Sequence, residues 1–123
     1  MPELVQTPTR IPVPGGKLIE EHVGQVTTPG ANLQASVSVA HMKAPAGWSE
    51  PYQTPTFDEI TLVLAGQVIV DHEGGRLEVE AGQTVITRGG ERIRYSCGAE
   101  GAEYVAVCVP AFSAETVHRE EIG

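Results

Sequence analysis

The sequence predicts an all-β chain closed into a barrel or a sandwich. Short apolar runs are punctuated by fourteen glycines and nine prolines, and nowhere in the middle of the chain do apolar residues recur at helical spacing over several turns. Strands separated by glycine-rich turns at regular intervals bury a core only by stacking two sheets or closing one.

The first strand is expected over Lys17 to Val23. From Gln34 the segment QASVSVAHMK alternates, with Ala35, Val37, Val39 and His41 on one face and Ser36, Ser38, Ala40 and Met42 on the other. The valines assign the first of these faces to the core. Glu59 to Ala65 and Gln67 to His72 flank Gly66, and Arg76 to Glu80 follows the turn Glu73-Gly74-Gly75, which predicts three antiparallel strands. Thr84 to Thr87, Arg92 to Ser96 and Glu103 to Val109 follow, divided by Gly89-Gly90 and by a loop around Gly98 and Gly101, for about eight short strands in all. Ile60, Leu62 and Leu64 point one way and Val63 the other, so both faces are apolar, which suits packing against a second sheet or a second subunit in a homodimer.

With 123 residues the chain has the size of one domain, 1–123. It divides into an extended arm over 1–16, rich in proline, a barrel core over 34–110 and a surface tail over 111–123, and arm and tail are candidates to cross a dimer interface. Sixteen acidic residues against eight basic leave a formal net charge of −8, a field that repels phosphate backbones and anionic lipid. Neither nucleic acid nor a membrane is therefore expected as partner, and no apolar run reaches the ~18 residues of a membrane span. Met1-Pro2-Glu3-Leu4 shows no secretory pattern, so a cytoplasmic location is expected. Cys97 and Cys108, without Cys-x-x-Cys spacing, read as reduced thiols in strands.

Two segments carry a family resemblance. Gly47 to Gly66, GWSEPYQTPTFDEITLVLAG, has the spacing of the first cupin motif, with Gly47, Glu59 and Gly66 in frame. Gly82 to Cys97, GQTVITRGGERIRYSC, has that of the second, with Gly82 and Gly90 in frame, Arg88 in place of proline and Cys97 in place of asparagine. The chain thus resembles the cupins, which implies a double-stranded β-helix, or jelly-roll barrel. Pro51 to Gly66 and Asp71-His72-Glu73-Gly74 are similar to the ethanolamine-utilisation type, which also lacks the metal-binding histidines. The resemblance implies a metal held by two histidines and the glutamate of the first motif with the histidine of the second. Here those histidine positions carry Gln53, Pro55 and Ile93, or Tyr52 and Thr54 in the longer spacing, and only Glu59 survives. Proline and isoleucine cannot ligate a metal, so no cofactor is expected. The alternative is a divalent metal at a non-standard site built from His41, Glu50 and Glu59.

Alternation from Glu59 sends Phe57, Glu59, Thr61 and Val63 into the barrel. A carboxyl among apolar walls gains proton affinity and suits general acid or base work near neutrality; its plain alternative is a hydrogen-bond acceptor for Gln53 or Tyr95. Tyr95 shares a face with Ile93 and is a candidate to orient substrate or pass a proton. His41, on the presumed core face, is the third catalytic candidate. Tyr52, Gln53, Thr54 and Phe57 are candidates for substrate binding, with Trp48 at the rim of the pocket. Together these residues predict a metal-independent enzyme that binds a small polar organic molecule and acts by proton transfer, as an isomerase, lyase or cyclase. The alternatives are a non-catalytic ligand-binding or sensing module and a metal-dependent cupin with a displaced site.

Overall fold

The computed structural model describes residues 2–24, 27 and 36–120. Within them lie seven strands and no helix: β1 (Thr9–Arg10), β2 (Leu18–Val23), β3 (Ser38–Ala44), β4 (Asp58–His72), β5 (Gly75–Glu80), β6 (Thr84–Thr87) and β7 (Ile93–Val109). They pair antiparallel in the order β1-β2-β3-β7-β4-β5, and β6 also pairs with β4, along Glu59 to Leu62. This is the all-β jelly-roll barrel that the sequence predicts. No helix among the described residues is long and apolar enough to cross a membrane.

Two long strands form the frame. The glycines at 66, 98 and 101, read from sequence as turns, lie inside β4 and β7 instead, and each of these strands runs unbroken where two were expected. Gly66 pairs with Ala102, and the β4–β7 register shifts on both sides of it. A bulge of this kind bends a strand sharply without ending it. Thus β4 and β7 pair twice, first through Asp58 to Gly66 and then, beyond the bend, through Val68 to His72.

Alternation sorts the side chains. Phe57, just before β4, is buried, as are Thr61 and Val63 within it, while Ile60, Leu62 and Leu64 are exposed; β7 buries Ile93, Tyr95, Cys97, Ala102, Tyr104, Ala106 and Cys108. With Leu77, Ile86 and Val109 the outer face is apolar and open to solvent. β3 departs from expectation. Ser38, Ala40 and Ala44 are its buried residues, and the face of Val39 and His41 turns outward. Gln34 and Ala35, where that strand was expected to begin, lie outside the described residues.

The ends of the chain fold onto this same barrel rather than away from it. β1 lies in the expected arm and pairs with β2, matching Thr9 to Glu21 and Arg10 to Glu20. In the tail, Ala111 and Val117 are buried, and the Phe112 ring meets Phe57 edge-on at 5.9 Å. The barrel therefore draws on both segments outside the expected core of 34–110.

Candidate functional site

A cavity of about 250 Å³ opens inside the barrel. Its walls explain the inverted face of β3: Ser38, Ala40 and Met42 line it beside their β7 partners Cys108, Ala106 and Tyr104. Small inward side chains leave space, where large ones would fill it. Ile19 and Glu21 of β2 and Ile11, Pro12 and Val13 of the arm close one side, while Phe112, Val117 and Arg119 of the tail contribute to another.

Glu59 belongs to the polar lining. Thr61 Oγ1 donates to Glu59 Oε2 at 3.0 Å, and the Cys108 thiol approaches Oε1 at 3.6 Å. Burial raises the proton affinity of this carboxyl, against the opposing effects of the Thr61 hydrogen bond, the Lys17 charge and a hydrogen bond with Tyr95. The Tyr95 hydroxyl also shares a 2.8 Å hydrogen bond with Thr87 Oγ1, and burial, reinforced by Glu59, pushes its pKa well above the ordinary phenol value. Burial and Glu59 likewise hold the Cys108 thiol protonated far beyond the usual range.

Glu50 is the second carboxyl on the wall. Burial lifts it to about 7, opposed first by Lys17 and then by Arg119. Arg119 Nη2 lies 3.7 Å from Glu50 Oε2, and Arg119 Nε reaches Gln53 Oε1 at 3.4 Å. Burial holds Lys17 below its ordinary value, with Glu50 the leading opposing influence. Its ammonium sits 4.0 Å from the centre of the Trp48 ring and 5.3 Å from that of Tyr104.

Of the residues singled out from sequence, Glu59, Tyr95, Gln53 and Phe57 meet in the cavity lining. Trp48 lines an adjoining cavity of about 330 Å³. His41, Tyr52 and Thr54 line neither. His41 faces outward, its Nε2 2.6 Å from Glu103 Oε2. Tyr52 lies under Arg92 and Arg94, whose guanidinium carbons sit 3.8 and 5.0 Å from its ring centre. Thr54 meets the tail through its backbone, the N–H donating to the His118 carbonyl at 3.2 Å. Lys17, Arg119 and, except as a metal ligand, Glu50 were not picked out by sequence reasoning. Lys17 had a signal, since it shares the phase of Ile19 and Glu21 in the alternation of β2. Arg119 had none, because an irregular tail carries no period.

Among the described residues, no three or more His, Cys, Asp and Glu side chains gather in an arrangement able to hold a metal ion. His41, Glu50 and Glu59 therefore do not form the displaced centre considered from sequence.

No family model matches the chain. In sequence it is 45% identical over 111 residues to a protein named Endoribonuclease YbeY from Myxococcus xanthus (strain DK1622), a match covering 89% of this chain and 36% of that relative. Among solved structures it is similar to ethanolamine utilization protein Q from Salmonella typhimurium LT2 (23% identity, 78% of this chain and 71% of that one, TM-score 0.59). It is also similar to a substituted form of Streptomyces PAC13 with uridine (16% identity, 96% and 88%, TM-score 0.73). At these identities the structural likenesses are of fold alone.

The sequence match corrects several expectations. Membership of the cupin family, and with it the likeness to its ethanolamine-utilisation type, is withdrawn, because the relative found by sequence bears a different name and the cupin likeness is one of architecture. Small-molecule isomerase, lyase or cyclase chemistry, together with the sensing alternative, falls with it: a shared barrel does not fix a reaction, and the acid and base groups of this one suit many. The exclusion of nucleic acid is withdrawn as well. Net charge is a long-range average, blind to a local pocket that grips a base rather than a backbone. The expectation that no metal ion or other cofactor is needed is withdrawn too, since it rested on the cupin likeness and the sequence match is to a protein of a different name. The described residues of this chain do not fit such an ion, and no step is assigned to one. The chain spans about a third of the length of its relative, so what the whole of that protein does bears on this chain only as a proposal.

Proposed function

We propose that this chain acts in RNA processing, its cavity receiving one nucleoside unit of the RNA. The observation that carries the reading is the 45% identity over 111 residues to a protein named as an endoribonuclease. The geometry supports a nucleoside rather than a strand as occupant. Ligand pockets typically run from ~300 to 1,000 Å³, and this one, at about 250 Å³, has room for a single compact group. Proteins that read RNA by sequence splay out single bases, stack them on aromatic rings and hydrogen-bond their edges. Phe57, Tyr104 and Phe112 supply the aromatic wall. Gln53 and Tyr95 supply neutral donors and acceptors, and Glu59, its proton affinity raised by burial, adds a carboxyl that can donate as well as accept. A solved protein of the same fold holds uridine. A cytoplasmic location fits the buried free thiols of Cys97 and Cys108.

The test pairs binding with cleavage. Short single-stranded RNA, labelled at one end, is titrated with the full chain and followed by fluorescence anisotropy, and the same mixtures are resolved on a sequencing gel. Binding should be weakened about tenfold or more by Glu59→Leu, the scale expected for a lost hydrogen bond to a buried partner. Its salt dependence should be shallow, because a chain of net charge −8 gains little from counterion release. If the wild-type chain neither binds nor cuts RNA and binds no nucleoside, the reading is wrong, and the relative's named activity belongs to the two thirds of it that this chain does not span.

A further inference from the structure

We propose that Lys17 and Arg119 form a phosphate site at the junction of the two cavities, placed to hold the phosphate of a nucleotide whose nucleoside occupies the inner one. The proposal rests on the nucleoside reading above for the rest of the ligand, but the anion site is defined by its own geometry. The inner cavity and the one beneath Trp48 share a wall made of Val13, Lys17, Ile19, Glu50 and Arg119. Two of these five residues are cations and one is a carboxylate. A ligand spanning the cavities must pass between them.

Neither cation is tightly committed. Among the described residues Lys17 has no carboxylate within ion-pair distance; its ammonium rests on the faces of Trp48 and Tyr104. Aromatic faces hold a cation in place without neutralising it. Arg119 meets Glu50 only at 3.7 Å, beyond hydrogen-bond length, and shares its Nε with Gln53. A phosphate offers several charge-assisted hydrogen bonds, the stronger class.

The junction also carries its own dependence on pH. The charged groups facing Glu50 are Lys17, Arg119 and Glu59; the titratable side chains of Tyr95, Tyr104 and Cys97 also lie within its electrostatic reach, and Glu50 has a backbone hydrogen bond at Tyr95. Near pH 6 Glu50 is mostly neutral and both cations are free for an anion; near pH 8 it is ionised and competes for them. Phosphate should therefore be held more tightly at pH 6 than at pH 8.

Trp48 is the single tryptophan of the chain and lies under Lys17, so its fluorescence reports on the junction. The experiment titrates the full chain with inorganic phosphate, with uridine and with uridine 3′-monophosphate at pH 6 and pH 8. The expected result is that the monophosphate binds about tenfold or more tightly than uridine, as befits hydrogen bonds to charged groups, with the larger margin at pH 6. Lys17→Met should bring the ratio of the two affinities close to one, Lys17→Arg should restore most of it, and Arg119→Gln should reduce it. If uridine binds and the monophosphate binds no better, the phosphate site is refuted and the nucleoside reading stands. If inorganic phosphate binds in a Lys17-dependent way but uridine does not, the site stands and the nucleoside reading falls. Silence from all three probes sinks both.

Discussion

Gly66→Ala is expected to cost this protein on the order of 2–5 kcal/mol of stability, combining ~1–2 for a left-handed residue with a Cβ and ~1–3 for overpacking. Gly66 has φ 74°, and a Cβ placed there would lie 2.1 Å from the Gly101 carbonyl oxygen and 2.9 Å from the Ala102 Cα. Both are backbone atoms of β7, so no side chain can swing aside to relieve the clash. Either the β4–β7 crossing opens or the bulge is lost, and the pairing that positions Glu59 opposite Cys108 shifts with it. Gly47→Ala is the control, having φ 73° with no atom within 4 Å of the added carbon, so that only the conformational part of the cost should appear. Urea unfolding of the two variants makes the comparison. Equal losses would show that the strand crossing has slack and that the close approach is not what bends the barrel.

That bend marks one limit of reading this sequence. Gly66 and Gly101 were legible as interruptions, yet a glycine that ends a strand and one that kinks it look alike without the partner strand, and here the partner decides. The face of β3 is another case. The alternation of residues 38 to 42 was correct in period and wrong in direction, because the valines were taken for the core. A barrel with a cavity inverts that preference, presenting Ser38, Ala40 and Met42 inward and its valines outward. His41 was carried out of the site by the same inversion. Phe57, Glu59, Thr61 and Val63 were readable because large side chains and a carboxyl alternate there with solvent-facing aliphatics. Arg119 was beyond reach, since its place at the junction depends on how the tail folds back, with the Thr54 and Thr56 N–H groups donating to the carbonyls of His118 and Thr116.

Function was less legible than fold for a different reason. The in-frame residues that carried the family resemblance are four motif glycines, which set turns and crossings, and one carboxylate that several chemistries could use. A barrel frame is specified by such positions, whereas the occupant of its cavity is chosen by side chains from five separate segments, Lys17, Met42, Gln53, Tyr95 and Phe112 among them. Overall charge misled for a related reason: the acidic surplus is a property of the whole surface, and two of the eight basic residues, Lys17 and Arg119, stand on the wall that the two cavities share.

The protein should be more stable near pH 5 than near pH 8, and the share due to Glu50 can be isolated. In the folded chain burial raises this carboxyl from 4.5 to about 7, so between those values the folded state holds a proton that the unfolded state has released. Unfolding then releases protons, and stability falls as pH rises through the window. A displacement of this size corresponds to on the order of 3 kcal/mol, fully present below about pH 4.5 and gone above about pH 7. Glu59, also raised by burial, acts in the same sense. Asp71, held below its ordinary value by Arg76 and Arg94, loses its contribution only in more acidic solution, outside this window. Lys17, held low by desolvation, works oppositely, favouring the fold as pH climbs from its folded value toward 10.5. Glu50→Gln keeps the shape of the side chain and removes the titration, so the difference between variant and wild-type profiles isolates this one group. Urea midpoints measured from pH 5 to pH 8 should fall for the wild type and fall less steeply for Glu50→Gln. Parallel profiles would mean that the Glu50 carboxyl titrates as an ordinary exposed one, and the wall between the two cavities would then lose the proton-controlled charge that makes it selective for an anion at pH 6.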